Sequence, residues 1–470
     1  MSGFWERMKL FFRKRSVNDF LKYPEGKRIY REFHPLRNNM MDPMGLKVLQ
    51  KLLKNKYKAY FVGGCIRDLL INRNPKDFDI VTNATPKEIK KLFKNSRIIG
   101  KRFKIVHVYY KSLNKNEIKI IEVSTFRKIP EHRLNGNPKK IDHNLLKRDN
   151  IYGNPKEDAA RRDFTINSLF YDPTKEVIVD YTGGFEDIKN KTIRAIGDPD
   201  ISFKEDPVRM LRAAKFAPLL DFKIEKKSLK YIKKNKEEIL KVNKNRLHEE
   251  FMKIFKTGMS AKIFESIYYC GLFDVLFPNV INQSIAQIGK NEKPKKIKFS
   301  DTPIAKRLQI ADRMLTERED LTFNIYMCLI LADSISEVFL ERKKNKEPID
   351  QYIRKKLDLI FKHLQISGKD QERIFQIFVF QRQIGFLNTN TKKLNKNKLN
   401  NLKAKSYFFE AFMVYKIYSL ALENEEMIQK AMVWEIGPRT KPPSDAKIIS
   451  LYNKTPKFPL LELNQESEEN

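Results

Sequence analysis

The acidic pair in Lys76-Asp77-Phe78-Asp79-Ile80, shortly after Phe61-Val62-Gly63-Gly64-Cys65-Ile66-Arg67-Asp68, is the part of this chain best suited to chemistry. Phe78-Asp79-Ile80-Val81 reads as a strand, along which residues i and i+2 share a face. Asp77 and Asp79 then converge while Phe78 turns to the opposite side. Two hard oxygen donors on a rigid strand suit Mg²⁺, which prefers carboxylates and keeps positions open for substrate phosphates. A pair of such ions about 4 Å apart can activate an attacking hydroxyl and stabilise a departing pyrophosphate in line with it. Gly63-Gly64 lets backbone amides approach a triphosphate with no Cβ in the way. Arg67 adds a planar, permanently charged donor for phosphate oxygens. No Gly-Lys-Ser/Thr follows the glycines, so this is not a P-loop. Either half alone is also what a solvated loop or a strand-to-helix turn contains. A glycine turn, a short helix at 66–70 and an acidic strand within about twenty residues together predict nucleotidyl transfer.

Three further constellations extend that reading. Arg161-Arg162-Asp163-Phe164-Thr165-Ile166-Asn167 could grip a triphosphate and a ribose, or form a charged first helical turn capped by Asp163. In Glu205-Asp206-Pro207-Val208-Arg209-Met210-Leu211-Arg212, residues 206, 209 and 212 fall on one helical face. A carboxylate beside guanidinium groups offers acceptors and donors to a base edge, each such contact discriminating by about 1–3 kcal/mol. Asp206 also suits a helix N-cap. Glu122, in Ile120-Ile121-Glu122-Val123-Ser124-Thr125-Phe126, alternates onto the polar side of its strand and is either a third metal ligand or an ordinary exposed acid.

The elements that must position these residues form a small mixed α/β domain. Strand signals occur at 59–62, 77–81, 105–110, 118–126 and 177–181, the last ending in Gly183-Gly184. Helical patterns fill the gaps at 46–54, 86–93 and 155–170, with Thr85-Pro86 as a cap and first-turn proline. Residues 127–150 read as a long polar loop. From Asp206 onward the pattern is helical, with Lys-rich breaks at about 283–303 and 389–402.

A length of 470 residues implies two to four packed units, and 41% hydrophobic content is enough to give them cores. The 93 Lys and Arg against 58 Asp and Glu leave +35, spread along the chain, and such a field favours a polyanion. Cys65, Cys270 and Cys328 are far apart and without Cys-x-x-Cys spacing, which excludes a disulfide scaffold or zinc knuckle and fits a reducing compartment. No apolar run approaches the ~20 residues of a membrane span. Residues 1–44 read as a leader opening on a basic amphipathic stretch without a signal-peptide pattern, and the chain closes on an acidic stretch.

In order, these motifs resemble the bacterial poly(A) polymerases and CCA-adding tRNA nucleotidyltransferases, class II of the polymerase β-like superfamily, over roughly residues 45–275. The resemblance implies an α+β chain: a mixed α/β nucleotidyltransferase head at 45–185, a helical neck with base contacts at 186–260, and a helical, RNA-binding body and tail at 261–430. An extension at 431–470 follows. It implies Asp77 and Asp79 as ligands of two Mg²⁺ ions and Asp163 as a further active-site acid, with Glu122 its competitor for the metal side. It places Gly63, Gly64, Arg67 and Arg162 on the nucleotide and Asp206, Arg209 and Arg212 on its base or phosphates. Cys65 stands where the family commonly has Gly or Ala. Ile98-Ile99-Gly100-Lys101-Arg102-Phe103-Lys104-Ile105-Val106-His107-Val108, Arg148-Asp149-Asn150-Ile151-Tyr152-Gly153 and the leader resemble the poly(A) polymerase branch. The implied activity is addition of AMP from ATP to the 3′ ends of RNA (mRNA, tRNA or small RNA) by a cytoplasmic monomer. CCA addition to tRNA is the alternative within the family, and a non-catalytic RNA-binding protein the alternative outside it.

Overall fold

The computed structural model describes residues 26–100, 104–111, 118–128, 151–286, 298–317, 321–338, 348–385 and 396–436. The basic opening stretch, the Lys101–Phe103 and Arg148–Asn150 segments, most of the polar loop and the acidic end lie outside them. The chain divides into two compact units, Met1–Phe277 and Pro278–Asn470. Among the described residues no helix is long and apolar enough to cross a membrane.

The first unit is built on an eight-stranded sheet, counted among the described residues, in the order β1-β8-β7-β2-β3-β6-β5-β4. Its strands are β1 Lys27–Ile29, β2 Ala59–Val62, β3 Asp79–Thr82, β4 Ser96–Ile99, β5 Ile105–Lys111, β6 Ile118–Thr125, β7 Leu169–Asp172 and β8 Val177–Asp180. Lys27–Ile29, inside the stretch expected as a leader, pairs antiparallel with β8 and forms the sheet edge. β3 and β6 run parallel, whereas β2 is antiparallel to both β3 and β7.

Helix α1 (Pro43–Lys54) begins where Asp42 accepts hydrogen bonds from the amides of Met44 and Gly45 at 2.9 Å, with Pro43 in the first turn. Its buried Val48, Leu49 and Leu52 pack on β2, β3 and β6. Helix α2 is Gly64–Leu70, and α3 (Pro86–Leu92) begins with the Thr85–Glu88 capping box. The opposite sheet face buries Val62, Val81, Phe126, Phe170, Val177 and Val179 around Ala159 of α4 (Pro155–Ala160). Each such side chain contributes about 1.5–3 kcal/mol.

Two expectations are corrected. The helix expected at 155–170 ends at Ala160; the chain then bridges Phe164 to Ala195, makes a short helical turn at Thr165–Asn167 and enters β7. Bulky Phe164 and Phe170, fully buried in different surroundings, override the helical spacing. The acidic strand starts at Asp79, so Asp77 lies just before it rather than within it, although Phe78 does turn away to pack edge-on against Phe61.

After β8, the Asp180 carboxylate accepts from the amides of Thr182, Gly183, Gly184 and Phe185, which launches α5 (Gly184–Lys189). A Cβ on Gly184 would stand 2.0 Å from the carbonyl oxygen of Thr165. Gly184→Ala is therefore expected to destabilise the first unit by about 1–3 kcal/mol, as forced overpacking does, measured by urea denaturation. An unchanged midpoint would mean the two segments are not held together. Strands β9 (Thr192–Ile193) and β10 (Lys223–Ile224) form a short parallel ribbon. Helices α6 (Pro199–Glu205), α7 (Val208–Leu220), α8 (Lys226–Lys234), α9 (Lys244–Phe255), α10 (Ser260–Tyr269) and α11 (Phe273–Leu276) complete the unit around stacked Phe251, Phe255 and Phe264.

The second unit is helical throughout its described residues: α12 Val280–Ala286, α13 Pro303–Thr316, α14 Phe323–Leu331, α15 Ile349–Leu364, α16 Gly368–Gly385, α17 Lys396–Lys403, α18 Phe408–Ala421 and α19 Glu425–Ile436. Helices α14 and α18 are apolar nearly all round, which marks them as the centre of the bundle.

Candidate active site

Strand register gathers the site. Val62 of β2 lies opposite Asp79 of β3, and the pairing of Ile80 with Val123 puts Glu122 of β6 beside Asp79. Val62, Asp79 and Glu122 thus lie on one row of the sheet, with Gly63 following Val62 and Asp77 two residues before Asp79. His107 of β5 pairs with Glu122 and brings Nε2 to 3.4 Å from its carboxylate. Asp79 meets solvent on one side while protein atoms crowd the rest of its carboxyl. That desolvation, followed by the charge of Glu122 and, more weakly, of Asp77, pushes it up to about 6 against the pull of Arg162. Asp163 is not among the charges acting on Asp79. The Cys65 thiol, beneath Asp79, is pushed up to about 12 by burial first and by Asp79 second. It is an inert neighbour.

Gly63 has φ +83° and ψ −131°, a conformation reserved for glycine, and a Cβ there would stand 3.2 Å from Nη1 of Arg162. The glycine therefore clears the space that Arg162 fills. Arg161 and Arg162 both donate to Asp158, whose carboxylate is wholly buried and also accepts from the amide of Arg127. Arg162 lies over the Phe170 ring, 5.7 Å from its centroid. Asp158 is the orienting residue the motif reading missed. Its signal was in the sequence, an acid three and four places before two arginines.

Arg67, expected on the phosphates, is buried. It donates to Asp68 and, at 2.6 Å, to the Asn167 side-chain oxygen. The Asn167 amide passes the connection to Asp163, and Asp163 takes Arg212 at 2.6 Å. Arg212 continues to Glu250, which also holds Lys215 and Lys253. Burial alone would raise Asp163, but the charge of Arg212 and the hydrogen bonds from Asn167 and Arg212 hold it down at about 2. Glu250 is likewise held at about 2 against burial by Lys215 and Arg212. Asp163 is thus a paired, permanently ionised strut linking the glycine turn to α7. Asn167 closes the Arg161–Asn167 motif, whereas Glu250 carries no pattern by which sequence alone would single it out.

That strut borders a cavity of about 350 Å³ lined by Arg161, Asp163, Asp206, Arg209, Arg212 and Arg246, with Glu249, Glu250 and Lys253 completing its wall. Arg209 is set by Ser202 and by the backbone oxygen of Arg161. Asp206 does not cap α7, whose N-cap is Pro207. It closes α6, gives one oxygen to Arg246 at 2.8 Å, and leaves Oδ1 buried with no hydrogen-bond partner among the described residues. A buried, unpartnered carboxylate oxygen beside two guanidinium groups is an acceptor waiting for a donor. Among the described residues no three His, Cys, Asp or Glu side chains converge closely enough to cage a metal ion.

Residues 59–194 match the poly(A) polymerase head domain model, and residues 221–283 match the model described as the probable RNA- and SrmB-binding site of polymerase A. The chain is 39% identical over 259 residues to poly(A) polymerase I of Escherichia coli O6:H1, spanning 55% of this chain and 54% of that one. It is 41% identical over 209 residues to a CCA-adding enzyme of Lactobacillus helveticus, spanning 44% and 49%. The chain thus spans about half the length of the curated relatives it matches. A solved tRNA-processing enzyme in apo form shares the fold, with a TM-score of 0.55 at 19% identity over 89% of this chain and 97% of that one. The head and RNA-binding models are thus matched in order, and over about half its length the chain is similar to bacterial poly(A) polymerases and CCA-adding enzymes.

Proposed function

We propose that the chain transfers AMP from ATP to RNA 3′ ends without a template. The observation that carries this reading is Asp79 set beside Glu122 by the β3–β6 register, with Asp77 two residues earlier and Arg162 the opposing charge. Asp77 and Asp79 would hold the two Mg²⁺ ions, and Glu122 is favoured over Asp163 as the third carboxylate because strand register sets it beside Asp79, whereas Asp163 is paired with Arg212. Bound there, Mg²⁺ would supply activation of the primer hydroxyl and charge neutralisation of the triphosphate. Arg162, held by Asp158 and cleared by Gly63, would meet the phosphates. Gly63 and Gly64 would bring backbone amides alongside. Arg67 acts one step back, fixing Asn167 and through it Asp163.

The adenine belongs in the cavity. Its exocyclic amine supplies the donor that Asp206 Oδ1 lacks, while Arg209 and Arg212 offer donors to ring nitrogens or phosphates. Asp206→Asn is expected to cost about 1–3 kcal/mol in kcat/KM for ATP, roughly 5- to 150-fold, with little change in RNA affinity. Equal kcat/KM in the variant would place the base elsewhere. The basic helical region is then left to hold the RNA backbone without reading its sequence.

AMP tailing is preferred to CCA completion because the similarity to poly(A) polymerase I runs over 259 residues and that to the CCA-adding enzyme over 209. The test offers ATP or CTP with two primers, an oligoadenylate and a tRNA ending at its discriminator base. Repeated addition to oligoadenylate from ATP alone is expected; completion of CCA on the tRNA without tailing would replace this reading with the other.

A further inference from the structure

The register that sets Glu122 beside Asp79 continues outward across the sheet. His107 of β5 lies opposite Glu122, and Arg97 of β4 lies opposite His107. Asp79, Glu122, His107 and Arg97 therefore stand side by side on four neighbouring strands and one sheet face. The stretch from Ile98 to Val108 contains this histidine, and neither the base cavity nor the paired aspartates use it.

His107 is not placed like a surface histidine. Its side chain is 19% exposed, and Nε2 itself is shut off from solvent with no hydrogen-bond partner among the described residues. Tyr109, two residues along on the same face, meets the imidazole edge-on with ring centroids 6.3 Å apart, which limits its rotation. The acid beside Nε2 is Glu122, at 3.4 Å, longer than a well-formed hydrogen bond. A ring nitrogen closed to water and left unpaired costs free energy, and a cross-strand pair kept only for sheet stability has no need to incur it. A small turn of the Glu122 side chain would complete the bond.

Glu122 has the matching need. Its side chain is 49% exposed, so packing alone leaves the carboxylate free to swing out of the row. Carboxylates that ligate metal ions are themselves held by hydrogen bonds from neighbouring groups, which fix the rotamer offered to the ion.

We propose that His107 is a positioning residue for Glu122, its Nε2–H donating to one carboxylate oxygen and leaving the other for a metal ion. The inference rests on the reading of Glu122 as the third carboxylate. His107 acts only through that side chain and touches neither nucleotide nor metal. Imidazole carries a hydrogen on Nε2 both as the cation and as one neutral tautomer, so the role needs no change of charge.

The test is a double-mutant cycle over His107 and Glu122 with two readouts. One is single-turnover AMP incorporation at saturating ATP; the other is Mn²⁺ affinity in the presence of a non-hydrolysable ATP analogue, read by electron paramagnetic resonance. His107→Ala is expected to lower both by about 10- to 100-fold, the usual loss when a group orienting a metal ligand is removed. His107→Gln, whose amide nitrogen extends about as far as Nε2, should recover most of that loss, which a purely structural defect would not allow. In the Glu122→Gln background, His107→Ala should cost nothing further, because the group it orients is already gone. Wild-type rate and Mn²⁺ affinity in His107→Ala, with Glu122→Gln impaired, would overturn the positioning role while Glu122 kept its own. An equal loss from His107→Ala in both backgrounds would also overturn it, since His107 would then act through another group. Unchanged rate and Mn²⁺ affinity in Glu122→Gln would remove Glu122 from the metal row and this proposal with it.

Discussion

Asp79→Asn should lose AMP incorporation by about 10³-fold or more while binding RNA as the wild type does. The substitution keeps the shape of the side chain and removes the charge, so the sheet should not notice it. What it removes is one of two carboxylates that would hold the metal ions, whose charge stabilisation is worth several kcal/mol of barrier at about 1.4 kcal/mol per tenfold in rate. Asp77→Ala should behave the same way although it lies outside β3, because the metal site needs both oxygen donors and not the strand. Glu122→Gln is the informative companion. If Glu122 is the third carboxylate, it should also fall by orders of magnitude, whereas Asp163→Asn should act mainly through Arg212 and the base cavity. Single-turnover rates at saturating ATP separate the two: a lowered rate marks the metal row, a raised KM for ATP marks the cavity. Normal extension by Asp79→Asn would remove the metal row from the chemistry altogether.

The second large effect concerns stability of the helical unit. Arg307 of α13 is fully buried and forked onto Asp333 at 2.7 and 2.9 Å, with its Nε donating to the carbonyl of Leu329. The Tyr418 ring of α18 covers the guanidinium, its centroid 5.5 Å away. Replacing Arg307 by Ala strands the carboxylate in an apolar interior and is expected to cost about 3–5 kcal/mol, the usual penalty for breaking a buried pair from one side. Replacing both partners, Arg307→Met with Asp333→Leu, should recover most of that loss, because the desolvation of two charges disappears with them. Urea denaturation followed by circular dichroism would resolve the difference. A single variant as stable as the wild type would mean that water reaches Asp333.

What the sequence made legible was what repeats or clusters locally. The α/β head followed by helices came from strand and helix periods, the Thr85-Pro86 helix start from its capping residues, and the acidic row from two aspartates one residue apart. What it hid depended on residues far apart in the chain. Nothing near Asp163 announces Arg212, 49 positions on, which turns that acid from a metal candidate into a strut. Nothing near Arg67 announces Asn167, 100 positions away, which draws the arginine inward. The expected helix over 155–170 failed for a similar reason: a helical spacing of apolar residues was satisfied by two different cores, one around Phe164 and Phe216, the other around Phe170 and Phe126. Asp158, by contrast, is locally legible, since it precedes Arg161 and Arg162 by one helical turn and its carboxylate accepts from both.

The most direct test of the central claim is a titration of Mn²⁺ against the protein with a non-hydrolysable ATP analogue, read by electron paramagnetic resonance as the loss of free-ion signal. The wild type is expected to take up Mn²⁺ together with the analogue, and the Asp77→Ala, Asp79→Ala double variant, still folded and still binding RNA, is not. Uptake by the double variant equal to that of the wild type would contradict it.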